Sequence, residues 1–167
     1  GCNMTTRPVF LLDVDGVLAN WVQGVIDLFG LQIDHNDWTE WKYYEQLGIT
    51  DRELFEKAGP EFWLNLRPYS WASDLLYRLR LRGEVVFATS PFIDPDCVSA
   101  KIRWLRNRGF MGRNVNDYMI GPYKYLMGGN GILIDDSQDN VDKFRDIGKG
   151  NAILFPQAWN VNRKFCG

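Results

Sequence analysis

The chain has 167 residues, 46% of them hydrophobic, with 19 Lys and Arg against 21 Asp and Glu and a formal net charge of −2. That length suits one globular domain burying about 70% of the surface its unfolded form exposes. The charge balance lacks the basic excess that binding long nucleic acid requires, and no apolar segment is long enough to span a bilayer.

In chain order, Met4 reads as the native start, and residues 8–12 form the first apolar run, of the kind buried on both faces of a parallel sheet. It stops at Asp13-Val14-Asp15-Gly16, two carboxylates two residues apart and then a glycine. Residues 20–29 follow as a helix. From about 31 to 68 no strand pattern is present; Trp38, Trp41, Tyr43, Tyr44, Phe55, Phe62 and Trp63 alternate with charges, and 51–57 is helical with Thr50 as N-cap. An insertion directly after the first strand–helix unit is placed to act as a lid; a small helical satellite packed on the sheet is the competing reading. Residues 71–82 form a helix with Trp71, Leu75, Leu76 and Leu79 on one face and Gly83 as C-cap.

The strand 84–88 then ends in Thr89-Ser90-Pro91. A helix over 96–108 carries Val98, Ile102 and Leu105 on its apolar face and stops at Gly109. A short strand, 117–120, precedes the strand 131–134, which ends in Asp135-Asp136. The helix 137–147, apolar through Val141, Phe144 and Ile147, and a last strand, 151–155, complete the alternation. Strands alternating with helices imply an α/β, Rossmann-like parallel sheet flanked by helices. The only histidine, His35, lies in a polar stretch and is assigned to solvent. Cys2, Cys97 and Cys166 fit neither a disulfide framework nor a zinc site, and no secretory apolar core stands near the N-terminus, which together point to a reducing, cytoplasmic setting.

Ligand sites in parallel sheets lie just beyond the carboxyl ends of the strands. Asp13 and Asp15 would project into that crevice, where buried carboxylates are costly unless a cation meets them. Clustered oxygen ligands suit Mg²⁺, which binds one or two carboxylates, waters and substrate phosphate. Thr89 and Ser90 bring hydroxyls and backbone N–H groups to the same edge, and Asp135-Asp136 bring a second carboxylate pair. Lys124, in the segment before that last strand, offers a positive charge, with Lys101 and Lys143 as alternatives. These elements together read as a Mg²⁺-dependent phosphoryl-transfer site.

Asp13-Val-Asp15-Gly, Thr89-Ser90, Lys124 and Asp135-Asp136 resemble the four motifs of the haloacid-dehalogenase-like phosphatase superfamily. Within it, Asp13 through Ala19, Phe62-Trp63 with Leu66-Arg67-Pro68, Ala88-Thr-Ser-Pro91 and Leu133-Ile-Asp-Asp136 are similar to the 5′(3′)-deoxyribonucleotidases. The likeness runs from Phe10 to about Asn160; the insertion matches only over 62–68, and Asn20 stands where that family often has Asp. The resemblance implies a Mg²⁺-dependent phosphomonoesterase acting on a small-molecule nucleotide, most of all pyrimidine deoxyribonucleotides, through an aspartyl-phosphate. Asp13 would be the nucleophile and Asp15 the acid and base. Mg²⁺ would be held by Asp13, the Asp15 carbonyl and Asp136, with Asp135 orienting Lys124 or the metal waters. Thr89, Ser90 and Lys124 would hold the phosphoryl group. Trp21 would line the nucleoside pocket, with Phe62, Trp63 and Trp41 completing an aromatic cage and Arg67 touching either substrate or the domain junction. A phosphatase for another small substrate and a non-catalytic phosphate-binding module are the alternatives; oligomeric state is left open, a homodimer included.

Overall fold

A computed structural model describes residues 7–161. Met4, Cys2 and Cys166 lie outside the described residues. Five strands, β1 (Val9–Leu12), β2 (Glu84–Thr89), β3 (Tyr118–Ile120), β4 (Ile132–Asp135) and β5 (Asn151–Leu154), pair in parallel in the order β3-β2-β1-β4-β5. β1 is central: Leu12 lies beside Phe87 of β2 and Ile134 of β4. The ends of β1, β2 and β4, where the sequence places its carboxylates and hydroxyls, are therefore neighbours.

Each face of the sheet carries its own apolar cluster. Phe10 and Leu12 of β1 join Val85, Phe87 and Ile134 on one side. Leu11 joins Ala88, Leu133, Val141 and Phe144 on the other. Burial on both faces explains why β1 reads as a continuous apolar run rather than an alternating one. Helix α1 (Trp21–Phe29) begins at Asn20, whose side chain accepts the Gln23 N–H, and ends at Gly30 in the left-handed conformation.

Between α1 and α4 (Ala72–Arg82) the chain forms a 3₁₀ turn at His35–Asp37 and the helices α2 (Tyr43–Gln46) and α3 (Asp51–Leu64), with no strand. Thr50 caps α3 as expected. The helical region runs past the expected 51–57 because Gly59, at φ 61°, breaks it and Pro60 restarts it; a proline is tolerated in a first turn, where its missing N–H would go unpaired anyway. Trp38, Tyr44, Leu54 and Trp63 of this insertion belong to the same buried cluster as Leu12 and Phe87, so the insertion shares the main core.

Several expected details change. Gly83 is the C-cap of α4 as expected, its N–H meeting the Leu79 carbonyl at 2.9 Å, but in an extended conformation at φ −169°. It is glycine because a Cβ there would overlap the Pro8 carbonyl. Trp71 caps α4 from outside the apolar face and donates its indole N–H to the Val17 carbonyl at 2.8 Å. Ile147 falls beyond α6 (Gln138–Asp146) and is exposed. On α5 (Pro95–Asn107) the buried face is Cys97, Ala100, Lys101, Trp104 and Leu105, so a lysine occupies a core position. His35 is not a solvent residue: it is half-buried, hydrogen-bonded to the Tyr69 hydroxyl at 2.6 Å and packed edge-on against that ring. Burial holds its pKa below the ordinary value.

Candidate active site

Asp13 is the first residue past β1, and its N–H extends the sheet ladder to the Ile134 carbonyl at 2.9 Å. Its side chain meets Lys124 Nζ at 3.0 Å, and the same ammonium donates to Asp135 at 2.7 Å. All three groups are buried. Asp13, Asp135 and Asp136 each offer an oxygen, and these oxygens lie within 4.8 Å of one another. Burial, then repulsion from Asp135, pushes the Asp13 carboxyl up to about 7 although Lys124 opposes the shift. Asp136 is raised well above the carboxylate range by burial and by Asp13. For Lys124 burial acts downward, but Asp13 and Asp135 outweigh it and keep the ammonium charged.

The three carboxylates are not equivalent. Both oxygens of Asp135 are occupied, Oδ1 by the Ser137 N–H and Oδ2 by Lys124 and Asn140. Asp136 accepts the Trp159 indole N–H on Oδ2 at 2.9 Å, while its Oδ1 is buried without a hydrogen-bond partner. Such an oxygen costs free energy unless a cation or donor meets it. One cation for three clustered carboxylates would leave each with a counter-charge, so this donor set fits a hard divalent metal ion. Gly16 has two reasons to be glycine: its φ is +85°, and a Cβ would overlap the Asp136 carboxylate.

Thr89, the last residue of β2, is buried and its hydroxyl also has no partner, leaving it free to meet an anionic oxygen. Asp15 forms an ion pair with Lys101, whose side chain is 1% exposed. The Lys101 ammonium also lies 4.8 Å from the centre of the Trp63 ring. Lys124 thus serves Asp13 and Asp135, and Lys101 serves Asp15; Lys143 pairs with Asp139 at the surface.

Beside Asp15 a cavity of about 50 Å³ is lined by Trp21, Trp41, Trp63 and Phe92, with Lys42, Tyr44 and Ser90 completing the wall. Trp21 packs against Trp41 with ring centres 4.8 Å apart, and Trp63 against Phe92 at 5.1 Å. Ser90 donates its hydroxyl to the Gly121 carbonyl. Phe62 and Arg67 are not part of this cavity. They line a separate groove beside α1, with Phe62 touching the position of a Gly24 Cβ.

Sequence reasoning missed Phe92, two residues after Ser90, and the position of Lys101 against Asp15. The signal for Lys101 was present: its spacing from Cys97 and Trp104 puts it on the buried face of α5. Cys97 itself is buried, its thiol pushed up to about 11 by burial, so it is no nucleophile at neutral pH.

The parallel sheet, with a carboxylate cluster at the end of its central strand, has the fold of the haloacid-dehalogenase-like hydrolases. Solved structures share the fold. A haloacid dehalogenase-like hydrolase from Burkholderia xenovorans superposes with a TM-score of 0.56 at 18% identity, covering 94% of this chain and 87% of its own. CbbY from Rhodobacter sphaeroides, in complex with phosphate, gives 0.56 at 15% identity, with 97% and 92% coverage. The hydrolase YfnB from Bacillus subtilis, bound to magnesium, gives 0.56 at 13%, with 90% and 89%. No curated protein sequence matches the chain. The model of the family "5′ nucleotidase, deoxy (Pyrimidine), cytosolic type C protein" matches residues 7–166, and the chain belongs to that family. It is accordingly a phosphoric monoester hydrolase of the nucleotidase type. No helix among the described residues is long and apolar enough to cross a membrane.

Proposed function

We propose that the protein hydrolyses pyrimidine deoxyribonucleoside monophosphates in the cytoplasm, with Mg²⁺ as its cation and an aspartyl-phosphate on Asp13 as its intermediate. The observation that carries the reading is the pairing of two carboxylates with two lysines: Asp13 with Lys124, and Asp15 with Lys101. A binding protein needs charge complementarity to phosphate, but it has no use for a second carboxylate–lysine pair beside the first.

In the first step an Asp13 carboxylate oxygen attacks phosphorus, the ester P–O bond breaks, and the leaving alkoxide takes a proton from the Asp15–Lys101 pair through Asp15, the proton being the one the pair shares. In the second, Asp15 takes a proton from water, whose oxygen attacks phosphorus. The bond to Asp13 breaks, and phosphate leaves. Thr89 Oγ1 and Lys124 hold the phosphoryl oxygens as charge develops on them. Asp13, Asp136 and the Asp15 carbonyl would hold Mg²⁺, which supplies the positive charge that keeps Asp13 ionised beside an anionic substrate. The magnesium in YfnB and the phosphate in CbbY support this choice of ions.

Trp21, Trp41, Trp63 and Phe92 offer the base an aromatic wall, each stack worth about 1–3 kcal/mol and tolerant of base identity. An apolar wall against the sugar leaves a 2′-hydroxyl without a partner, which disfavours ribonucleotides by only about 10²-fold. The cavity of about 50 Å³ is far smaller than the roughly 300–1,000 Å³ of ordinary ligand pockets. The 31–68 insertion therefore acts as a lid that must move to admit a nucleotide.

Phosphate release from dUMP, dTMP, UMP, dAMP, 3′-dUMP and glucose 6-phosphate, with Mg²⁺, with EDTA and with Asp13→Asn, tests the reading. Turnover should concentrate on the deoxypyrimidine nucleotides and vanish in EDTA and in the variant. Turnover of glucose 6-phosphate alone would remove the substrate assignment, and full activity of Asp13→Asn would remove the mechanism. Equal hydrogen-exchange protection of residues 34–66 with and without nucleotide would count against the lid.

A further inference from the structure

The segment after β5 reaches back into the site. Three of its side chains, Gln157, Trp159 and Asn160, are buried, and each donates a hydrogen bond to one of the two loops that carry the carboxylates. Gln157 donates its side-chain N–H to the Gly16 carbonyl at 2.8 Å. Asn160 donates to the Asp136 carbonyl at 2.9 Å and to the Phe155 carbonyl at 2.7 Å, and its oxygen accepts the Gln157 backbone N–H at 3.0 Å. Trp159 donates its indole N–H to Asp136 Oδ2. Buried amides and indoles are costly unless paired, and here Gly16 and Asp136, beside the candidate cation site, take one donor from each of the three side chains.

A carboxylate with two free oxygens can rotate, or chelate through both. At Asp136 the indole occupies Oδ2, the backbone of Gly16 closes the same side too tightly for a Cβ, and Oδ1 alone is left without a partner. We propose that Trp159 is a positioning residue of the cation site: its indole N–H fixes the Asp136 carboxylate so that a divalent cation is bound through Oδ1 only, while Gln157 and Asn160 hold the two loops in register. This rests on the reading of Asp136 as a cation ligand given above. Outer partners of metal ligands are worth about 10- to 100-fold in metal affinity, and an indole N–H on a ligating carboxylate is such a partner.

The test is Mn²⁺ binding to wild type, Trp159→Phe and Gln157→Met, followed by electron paramagnetic resonance, with melting temperatures in EDTA and the Mg²⁺ dependence of phosphate release measured alongside. Phenylalanine keeps the buried ring and removes only the donor. The Mn²⁺ Kd of Trp159→Phe should rise about 10- to 100-fold, and the Mg²⁺ concentration for half-maximal rate should rise with it. The rate at saturating Mg²⁺ should fall far less. Gln157→Met should shift the Kd in the same direction by less. A lowered melting temperature with unchanged Kd in Trp159→Phe would show a packing role and overturn the inference. Should that variant not fold, an unchanged Kd in Gln157→Met overturns it and a raised one supports it. Wild type that binds no Mn²⁺ would overturn the cation reading itself, and the inference with it.

Discussion

At the strand ends Asp13, Asp135, Asp136 and Lys124 are buried and held by hydrogen bonds from β4, α6 and the 157–160 segment. The 31–68 insertion above them instead leaves Trp41 and Phe55 partly in solvent and pairs its charges, Lys42 with Asp51 and Arg52 with Glu56, at the surface. Three carboxylates sharing one ammonium cost the fold stability when no cation is present, since desolvation outweighs what a single lysine returns. Exposed pairs cost little and contribute little. The sheet end is thus the part of the site that stores unfavourable charge, and the insertion contributes aromatic surface and exposed ion pairs. Lys101 joins them: its ammonium touches Asp15 of the sheet and the Trp63 ring of the insertion.

Substitutions should separate the two regions by size and by kind of effect. Asp13→Asn should reduce phosphate release on the order of 10⁴-fold or more, as loss of a nucleophile does, and should raise the melting temperature in EDTA by removing a buried charge. A variant both inactive and destabilised would contradict the picture of stored charge. Lys101→Met should lower kcat about 10²-fold, the scale of general acid–base catalysis, because Asp15 loses the ion pair that holds it; an unchanged kcat would reduce Lys101 to a packing residue.

Trp41→Ala should cost about 1–3 kcal/mol, seen in KM for the nucleotide with kcat retained. Loss in kcat alone would place Trp41 outside the pocket. In cation-free protein the Asp13 pKa stands at about 7 against 3.8 for a free carboxyl, so the folded state keeps a proton that the unfolded chain has released. The Asp13 contribution is fully present below about 3.8 and is lost as pH rises through about 7. The melting-temperature difference between Asp13→Asn and wild type in EDTA should therefore widen from about pH 5 to about pH 8, and Mg²⁺ should narrow it. A difference constant with pH would remove the titration. Smallest of all, Arg52→Ala, which breaks an exposed pair within α3, should change stability by less than about 1 kcal/mol in chemical denaturation.

β1, β2 and β4, and the chemistry at their ends, were legible because burial writes them as apolar runs that stop at a carboxylate or hydroxyl, whereas β3 and β5, at the sheet edges and partly exposed, were legible only from their place in the strand–helix alternation. Lys124 was legible from its place before the Asp135-Asp136 strand. What was illegible depends on approach between distant segments. Gly83 is the helix stop it looks like, yet its need to be glycine comes from the Pro8 carbonyl, just ahead of β1. His35 has polar neighbours in sequence and Tyr69 in space. For Lys101 the sequence shows the buried helix position, while its partner, Asp15, is supplied only by the fold. Gln157, Trp159 and Asn160 carry no motif at all; their meaning lies wholly in what they touch.

The central position of β1 also bears on when the site comes into being. Synthesis proceeds from the N-terminus, so Asp13 and Asp15 leave the ribosome first, Thr89 next, then Lys124 and Asp136, and Trp159 in the last described helix, α7 (Ala158–Val161). Until β4 docks beside β1, the two early aspartates have neither Lys124 nor their fellow carboxylates, and the cluster of three carboxylates does not exist. The order of synthesis thus sets a condition on assembly: Asp13 and Asp15 are made before every partner described above, and the cluster exists only once β4 has docked and the 157–160 segment has closed on it.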